Sequence, residues 1–399
     1  MRGAGNRSFA QIFFDYIKNW YLLIQKAMAS IMEHFGNLPD PRLDRKKLHK
    51  LQDIIFITIG AVICGCDTWE DIEEWGEIRE DWLRTILELP NGIPSHDTIN
   101  RVFSLIDPKA FQQCFVDWVK SVSKVTEGQI ISIDGKRLCN SGEDGAKAIV
   151  HMVSAWSNDN NMVLAQQKVN DKSNEITAIP ALLDMLYLKG CLITIDAMGC
   201  QKTIAKAITD KGANYILAVK ENQGHLLDDI KEAFGSQKTM QQHSQMDLGH
   251  GRIEKRTCSI ITDTDWVCDK KEWAQLHMLI RIESERTIKA TGAIERQTRY
   301  YISSKVADAQ TFNTAIRDHW GIENKLHWTL DVAFGEDKST KRAGHAAENF
   351  SFVSKIALNL LNQHNDYRGV KRISIRTRRK KSSWSKEYLM AVLAGIDKF

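Results

Sequence analysis

Two short segments of similar sequence decide the fold, residues 129–134 (QIISID) and residues 191–196 (CLITID). Each is an apolar, β-branched run that predicts a buried strand, and each ends on an aspartate. Open α/β sheets place their sites at the carboxyl ends of strands, so two such strands side by side would bring Asp134 and Asp196 within reach of one cation. Carboxylate oxygens suit Mg²⁺ or Mn²⁺. The alternative is structural, with each aspartate capping the helix that follows it.

The segments around these two strands alternate between strand and helix patterns. Further strands are predicted at 149–156, 162–169 and 215–219, and helices at about 175–187, 200–211 and 224–233. The order β-β-β-α-β-α-β-α predicts a mixed α/β layer. Strand-like pieces at 253–262, 276–284 and 295–303 indicate a β-rich insertion at about 236–305, and helical periodicity returns at 308–332 and 345–362.

The first 125 residues have helical periodicity throughout and predict an all-α domain. Helices are predicted at about 9–34, 51–66, 68–88, 95–106 and 108–124. The helix at 95–106 follows a tight turn and is either a core helix or a recognition helix for DNA. The predicted organisation is an all-α domain at 1–125, an α/β domain at 126–365, and a basic C-terminal tail with a short helix at 366–399.

Composition and charge narrow the class of protein. Apolar residues make up 43% of the 399 residues and charged residues 26%, which excludes wholesale disorder. The formal net charge is only +4, yet nine basic residues and no acidic residue lie between Tyr367 and Lys386. This concentration predicts phosphate contacts without sequence preference, and the alternative is a solvated tail.

The spacing of the cysteines and the length of the apolar runs indicate in which cellular compartment the protein is located. Eight cysteines are scattered without a C-x-x-C pair, which fits free thiols in a reducing environment better than a disulfide framework. The longest apolar run, at 54–66, is shorter than the ~20 residues that span a bilayer. We therefore expect a cytoplasmic protein without membrane association.

A third acidic position lies in residues 318–332 (DHWGIENKLHWTLDV). His319, Glu323 and His327 are spaced i, i+4 and i+8, so they share one face of a helix. The alternative is a polar outer face, with Trp320 and Trp328 packed in the core. A zinc helix is excluded, because the spacing is not H-E-x-x-H and no cysteine stands nearby.

Taken together, these segments resemble the DDE transposases of bacterial insertion sequences, in the subgroup of H-repeat-associated proteins found beside Rhs elements. The resemblance covers about residues 30–365. The matching segments are 131–136 (ISIDGK), 193–197 (ITIDA), 215–223 (YILAVKENQ), 319–328 (HWGIENKLHW) and 334–337 (FGED).

The resemblance implies a ribonuclease-H-like catalytic domain with a β-rich insertion. It implies that Asp134, Asp196 and Glu323 are the catalytic, metal-binding triad for two Mg²⁺ or Mn²⁺ ions. The implied reaction is attack on a DNA phosphodiester by water and then by a DNA 3′-hydroxyl. The implied partner is double-stranded DNA, bound by a homodimer. The other two interpretations are a catalytically silent DNA-binding relic and a different nuclease on the same fold.

The sequence departs from the pattern around the glutamate. Related transposases often carry Tyr-x-x-Arg before the glutamate and a lysine after it, where this chain has Ile316, His319 and Leu330. The basic group that would hold DNA must come from elsewhere, and the unranked candidates are His319, Lys325 and the cluster of Lys338, Lys341 and Arg342. Asp331 and Asp337 are weaker metal candidates. The predicted DNA contacts are Lys136, Lys220, His319, Lys325, Arg376, Arg378, Arg379, Lys380 and Lys381.

Overall fold

The computed structural model describes residues 31–142, 149–170, 174–236, 241–249, 251–368 and 370–395. The chain divides into two compact units. The helical unit consists of the described parts of Met1–Val122, Leu138–Val150 and Thr329–Phe399, and the sheet unit of Ser123–Arg137 and the described parts of His151–Trp328. This differs from the predicted division at 125 and 365, because the chain rejoins the helical unit after Trp328.

Helices occur in both units. Of the predicted helix at 9–34, the part before residue 31 lies outside the described residues, and residues 31–35 are helical. The α-helices that follow are α1 Leu51–Cys64, α2 Trp69–Ile78, α3 Glu80–Leu83, α4 His96–Leu105, α5 Pro108–Val122, α6 Glu175–Asp184, α7 Lys202–Asp210, α8 Gly224–Ser236, α9 Ala309–Gly321, α10 Trp328–Phe334, α11 Ala346–Gln363, α12 Ile375–Trp384 and α13 Lys386–Leu393.

The sheet unit is built on one nine-stranded mixed sheet, which confirms the predicted mixed α/β class. Its order is β3-β2-β1-β4-β5-β9-β8-β7-β6. Strand β1 is parallel to β4, and β4 is parallel to β5, while the other neighbours are antiparallel. The strands are β1 Ile130–Arg137, β2 His151–Ser157, β3 Met162–Lys168, β4 Leu192–Ile195, β5 Asn214–Val219, β6 Gln241–Gly249, β7 Arg252–Ile261, β8 Met278–Ile288 and β9 Ile294–Ser303.

The β-rich segment predicted at 236–305 continues this sheet instead of forming a separate body. Strand β9 pairs antiparallel with β5, so that Leu217 lies opposite Ile302. Strand β6 was not predicted, because it is an edge strand whose residues are mostly exposed and polar and show no apolar alternation.

A hydrophobic core holds helix α9 on the sheet. Phe312, Ala315 and Ile316 recur at helical spacing along one face of α9 and pack with Ile280 of β8 and Ile216 of β5. Asp308 caps the helix, since its carboxylate accepts a hydrogen bond from the backbone N–H of Thr311 at 2.7 Å. This packing fixes the part of the chain that leads to Glu323.

The helical unit has an aromatic core that explains why α11 belongs to it. Phe111 lies 5.3 Å from Phe35 and 5.8 Å from Phe352 of α11, between ring centroids. The buried Asn349 of α11 donates hydrogen bonds to the backbone oxygens of Phe103 and Ile106. Helix α11 is buried along most of its length, so it needs a core on several sides.

The basic stretch predicted as a tail at 366–399 is ordered structure over its described residues. Helices α12 and α13 belong to the helical unit, and α13 buries Leu389, Met390 and Val392. Within the part of the chain described, no single helix has the length and apolar character to cross a bilayer. The pair α1 and α2 meets those criteria only when taken together, across a bend of 97°.

Candidate metal centre and active site

Strand pairing brings the two aspartates to one edge of the sheet. Strands β1 and β4 are parallel neighbours, and Ile133 lies opposite Ile195. Asp134 and Asp196 each follow one of these residues, so they lie side by side where the pairing of β1 with β4 ends. The sequence predicted that β1 ends at Asp134, but the strand continues to Arg137 along β2. The juxtaposition predicted from the sequence is therefore present.

Asp196 also has the structural role that was left open as an alternative. Its Oδ1 accepts hydrogen bonds from the backbone N–H groups of Met198 at 3.1 Å and Gly199 at 3.4 Å, and so caps a short 3₁₀ turn. These bonds occupy one carboxylate oxygen and hold the side chain in place. They restrict the orientation of the Asp196 side chain and leave its second oxygen, Oδ2, available to bind a metal.

Glu323 lies in a π-helical segment, Ile322–His327, that continues α9. The wider turn changes the spacing that an ideal α-helix would give to His319, Glu323 and His327, and such segments are frequent at functional sites. Trp320 and Trp328 are 40% and 62% exposed, so neither is packed in a core as the alternative interpretation required.

Helix α9 approaches the β2–β3 hairpin closely at Gly321. A Cβ atom at this position would lie 2.1 Å from Oδ1 of Asn158, so only glycine fits without a shift. Asn158 in turn donates a hydrogen bond to Ser132 Oγ at 3.1 Å. Thr194 Oγ1 bonds Ser132 Oγ at 3.2 Å and lies 2.9 Å from Nδ1 of His319. The network ties the Glu323-bearing segment to β1 and β4.

The three predicted acids converge around Asp134. One ligand atom each of Asp134, Glu323 and His327 lie within 4.8 Å of one another. Nδ1 of His327 lies 3.4 Å from Oδ2 of Asp134 and 3.5 Å from Oε2 of Glu323. Asp134 also belongs to a second group, with Asp196 and Glu175, which meets the same 4.8 Å limit.

The carboxylates perturb one another's protonation. Burial, together with the neighbouring Glu323 carboxylate, raises the pKa of Asp134 to about 8. A hydrogen bond from His327 lowers the pKa of Glu323. When the carboxyl groups of Asp134 and Glu323 share one proton, the proton therefore resides on Asp134. Burial also raises the pKa of Asp196. Carboxylates held this close favour a bound cation, and their oxygens are the donors that Mg²⁺ and Mn²⁺ prefer. The residues therefore fit a divalent metal.

Glu175 is a member of the cluster that sequence reasoning missed. It is buried, it is the first residue of α6, and its Oε1 lies 2.8 Å from Nε2 of His151. A Cβ atom at Gly135 would lie 2.1 Å from that same oxygen. The only sequence signal was the glycine directly after Asp134, which allows another group to approach the strand closely.

The structure changes the interpretation of the predicted DNA contacts in the sheet unit. Lys220 is exposed at the rim of a cavity of about 460 Å³ whose lining includes Asp134, Asp196 and Glu323. Lys325 is exposed and donates to Asn161 Oδ1 at 3.1 Å. Lys136 is half-buried on β1. His319 lines the cavity, and burial lowers its pKa to about 4, so it is a neutral imidazole at pH 7 and supplies no positive charge to a phosphate.

Arg378 and Arg379 are buried, which contradicts their prediction as phosphate contacts. Arg379 bonds the carboxylate of Asp67 and donates to the backbone oxygen of Val62 at 2.7 Å. Arg378 donates to the backbone oxygen of His364 at 3.0 Å. A guanidinium must keep its donors paired when it is buried, so both side chains serve the packing of the helical unit.

The remaining basic residues of α12 differ in their exposure. Arg376 and Lys380 are exposed, while Lys381 is half-buried and forms an ion pair with Asp366 at 2.6 Å. Among the unranked candidates, Lys341 is buried with its Nζ 3.8 Å from the ring centroid of Phe350. Burial lowers the pKa of Lys341 to about 8. Lys341 is therefore not the missing basic group.

The cavity contains a basic residue that was not predicted. Arg299 of β9 lines it, with its guanidinium 4.9 Å from the ring centroid of Trp320. Nη2 of Arg299 donates to Oε1 of Gln297 at 3.0 Å. The ring and the amide hold the guanidinium in one orientation. Asp331 and Asp337, the weaker metal candidates, belong to none of the ligand clusters found among the described residues.

The amino-acid sequence of this chain matches the models of known protein families. The model described as "Transposase DDE domain" matches residues 106–360, and one described as "DDE_Tnp_1-associated" matches residues 32–119. The chain belongs to the DDE-domain transposase family.

Its relatives place it in the H-repeat subgroup of that family. "Putative transposase YncI" of Escherichia coli O157:H7 is 45% identical over 92% of this chain and 95% of that protein. "H repeat-associated putative transposase YhhI" of Escherichia coli strain K12 is 41% identical over 92% of this chain and 98% of that protein. "Inactive transposase YbfQ" of strain K12 is 49% identical over 19% of this chain and 92% of that protein.

Proposed function

We propose that this protein is a metal-dependent DNA transposase that cleaves and rejoins phosphodiester bonds at the ends of an insertion sequence. One observation carries the proposal: Asp134 lies within ligand distance of both Asp196 and Glu323, although the three residues come from different elements. The order β3-β2-β1-β4-β5, with β1, β4 and β5 parallel, supports a ribonuclease-H-like core.

Asp134, Asp196 and Glu323 would hold Mg²⁺ or Mn²⁺, with two ions proposed. Bound divalent cations would stabilise the attacking and leaving oxygens of an in-line displacement at phosphorus. The chain orients the acids for this task. The 3₁₀ turn fixes Asp196, the β1 backbone fixes Asp134, and His327 holds Glu323 through their hydrogen bond.

The cavity also supports a DNA substrate. Lys220 and Arg299 line it together with the acids, so a phosphate approaching the carboxylates would meet cationic donors. Arg299 presents a planar, oriented guanidinium, which suits the bidentate recognition of phosphate. We propose that Arg299 supplies the basic group that the segment around Glu323 lacks. Lys325 of the sheet unit, and Arg376 and Lys380 of the helical unit, remain proposed contacts to the DNA backbone.

The partner is double-stranded DNA, comprising the terminal repeats of the element and a target. We propose that the protein binds these ends as a homodimer. Light scattering would measure the molecular mass of the complex with terminal-repeat DNA. A mass that corresponds to one protein chain on one DNA end would contradict the dimer.

The test is cleavage of DNA that carries the inverted repeats flanking the gene. We expect Mn²⁺-dependent nicking by the wild-type chain, and loss of nicking with Asp134→Asn, Asp196→Asn and Glu323→Gln. Nicking that survives all three substitutions would refute the triad. A protein that binds DNA but neither cleaves it nor binds divalent ions would be an inactive relic. A protein that cleaves unrelated duplex DNA as fast as terminal-repeat DNA would be a general nuclease.

A further inference from the structure

Glu175 lies in the carboxylate cluster but has no place in the Asp–Asp–Glu triad. It is 8% exposed, and one of its oxygens lies within 4.8 Å of ligand atoms of Asp134 and Asp196. Asn174 caps α6 through a 3.1 Å hydrogen bond to the N–H of Ile176, which fixes the start of the helix and hence Glu175. The side chain therefore points into the site from an anchored position.

The surroundings of Glu175 orient its carboxylate. Nε2 of His151 lies 2.8 Å from Oε1, and that oxygen occupies the space that a side chain at position 135 would fill. Gly135 therefore allows the carboxylate to approach β1. A carboxylate has two oxygens, so this contact with His151 does not consume its capacity as a ligand. Carboxylates that bind metals are themselves commonly hydrogen-bonded in this manner.

The cluster falls into two groups that share Asp134. One contains Glu323 and His327, and the other contains Glu175 and Asp196. We propose that Glu175 is a fourth carboxylate ligand, which binds the divalent cation held by Asp134 and Asp196. This inference rests on the proposed metal-dependent function. Placing the buried Glu175 beside two half-buried aspartates is unfavourable unless a positive charge compensates it, and His151 contacts only one of the three.

The alternative is that Glu175 only holds His151 and the start of α6. The two roles differ in their effect on metal affinity in the absence of DNA. A ligand contributes directly to Mn²⁺ binding, whereas a purely structural group changes the thermal stability of the metal-free protein. The measurement is Mn²⁺ titration calorimetry of the full chain, with the melting temperature of each metal-free variant recorded alongside it.

We expect Glu175→Gln to lower the Mn²⁺ affinity about tenfold or more, and Glu175→Asp, which retracts the charge, to lower it as well. Because both residues serve one cation, the loss should be smaller in an Asp196→Asn background than in the wild-type chain. In a Glu323→Gln background, the full loss is expected. Glu221→Gln is the matched control, since this exposed acid lines the same cavity outside both ligand groups.

Wild-type Mn²⁺ affinity and stoichiometry in folded Glu175→Gln and Glu175→Asp would overturn the inference. If Glu175→Gln does not fold, the outcome for Glu175→Asp decides. The proposed function fails by a different result, in which the wild-type chain binds no Mn²⁺ or binds Mn²⁺ and does not cleave terminal-repeat DNA. If the wild-type chain cleaves DNA and the Glu175 variants bind Mn²⁺ as tightly as the wild type, then Glu175 is not a metal ligand and the proposed function stands.

Discussion

Ile133 and Ile195 are register partners on the parallel strands β1 and β4. This pairing places Asp134 and Asp196 side by side directly after the last paired residues of β1 and β4. The rest of the site is assembled around that edge, with Glu323 and His327 arriving from the segment after α9 and Glu175 from the start of α6. A site built in this way depends on backbone register, which a single side-chain substitution leaves intact.

Removing the charge of Asp134 should stabilise the metal-free protein. Its pKa is raised to about 8 in the folded chain and is ~3.9 in an unfolded chain. The folded state therefore binds more protons between these values, so this group lowers the free energy of unfolding as the pH rises from about 4 to about 8. We expect Asp134→Asn to melt above the wild type at pH 8 by about 2 °C or more, measured by calorimetry with EDTA.

The difference between the Asp134→Asn protein and the wild type should shrink as the pH falls toward 4. Comparing the two chains cancels the titrating groups that do not interact with Asp134, while the pKa of Glu323 changes with the substitution. Mn²⁺ should raise the melting temperature of the wild type only. A lower melting temperature for Asp134→Asn at pH 8 would show that the Asp134 carboxylate is not destabilised by burial.

His327 keeps Glu323 in its charged form. The hydrogen bond from His327 lowers the pKa of Glu323, so that its carboxylate stays ionised at low pH. With His327→Ala, the pKa of Glu323 should rise, and the fall in Mn²⁺ affinity on acidification should begin at a higher pH. Titration calorimetry between about pH 3 and pH 6, which spans the ordinary glutamate pKa of about 4.3, would measure this. The control is His225→Ala, because His225 is an exposed histidine of α8. If Mn²⁺ affinity depends on pH in the same way in both variants, His327 does not keep Glu323 ionised.

Arg299 should contribute one phosphate contact. Neutralising it is expected to reduce the slope of log affinity against log salt by about 0.9 and to weaken DNA binding. Arg299→Lys keeps the charge but loses the planar fork, so it should retain the slope and lose part of the cleavage rate. Arg296→Ala, on the same strand and paired with Glu285 at 2.9 Å, is the matched control. An unchanged slope in Arg299→Ala, measured by fluorescence anisotropy, would exclude the contact.

Gly321 is required by the close approach of α9 to Asn158. Gly321→Ala introduces a Cβ atom at 2.1 Å from Asn158 Oδ1, and should cost about 1–3 kcal/mol in the free energy of unfolding. Urea denaturation followed by circular dichroism would measure it. Gly235→Ala near the end of α8 has no atom within 4 Å of its new Cβ and should be neutral or stabilising. Equal stability of the two variants would mean that the contact relaxes without cost.

The basic residues of α12 should separate into two groups. Arg379→Ala leaves the half-buried carboxylate of Asp67 without this guanidinium and should destabilise the protein by about 1–3 kcal/mol. Lys380→Ala, at an exposed neighbouring position, should leave stability unchanged and weaken DNA binding. Melting and anisotropy on both variants distinguish these effects. A stable Arg379→Ala protein with weakened DNA binding would restore the exposed-tail interpretation.

The sequence predicted the strands of the site well because their apolar, β-branched runs are local signals. Strand β4 and the part of β1 before Asp134 are recognisable from a few consecutive residues, whereas the continuation of β1 to Arg137 was not predicted. The groups that were missed have no such signal. Glu175 stands in an ordinary helix start, and only the three-dimensional approach to Gly135 shows its place in the cluster. Arg299 lies on a polar strand with no distinguishing pattern.

The basic stretch was misinterpreted for a related reason. A run of lysines and arginines suggests a solvated segment because each side chain is charged, and burial depends on partners far away in the sequence. Arg379 pairs with Asp67 and donates to the carbonyl oxygen of Val62, and Arg378 donates to the carbonyl oxygen of His364. Charge density alone therefore predicted phosphate contacts for Arg378 and Arg379, whereas the fold uses these side chains as hydrogen-bond donors to buried backbone oxygens.

The central claim is that Asp134, Asp196 and Glu323 jointly bind divalent cations, and Mn²⁺ anomalous scattering from a crystal of the full chain tests it most directly. We predict anomalous peaks in contact with the carboxylates of Asp134 and Asp196 and of Asp134 and Glu323. Peaks that appear only on other acidic residues, with these three carboxylates free of metal at saturating Mn²⁺, would contradict the claim.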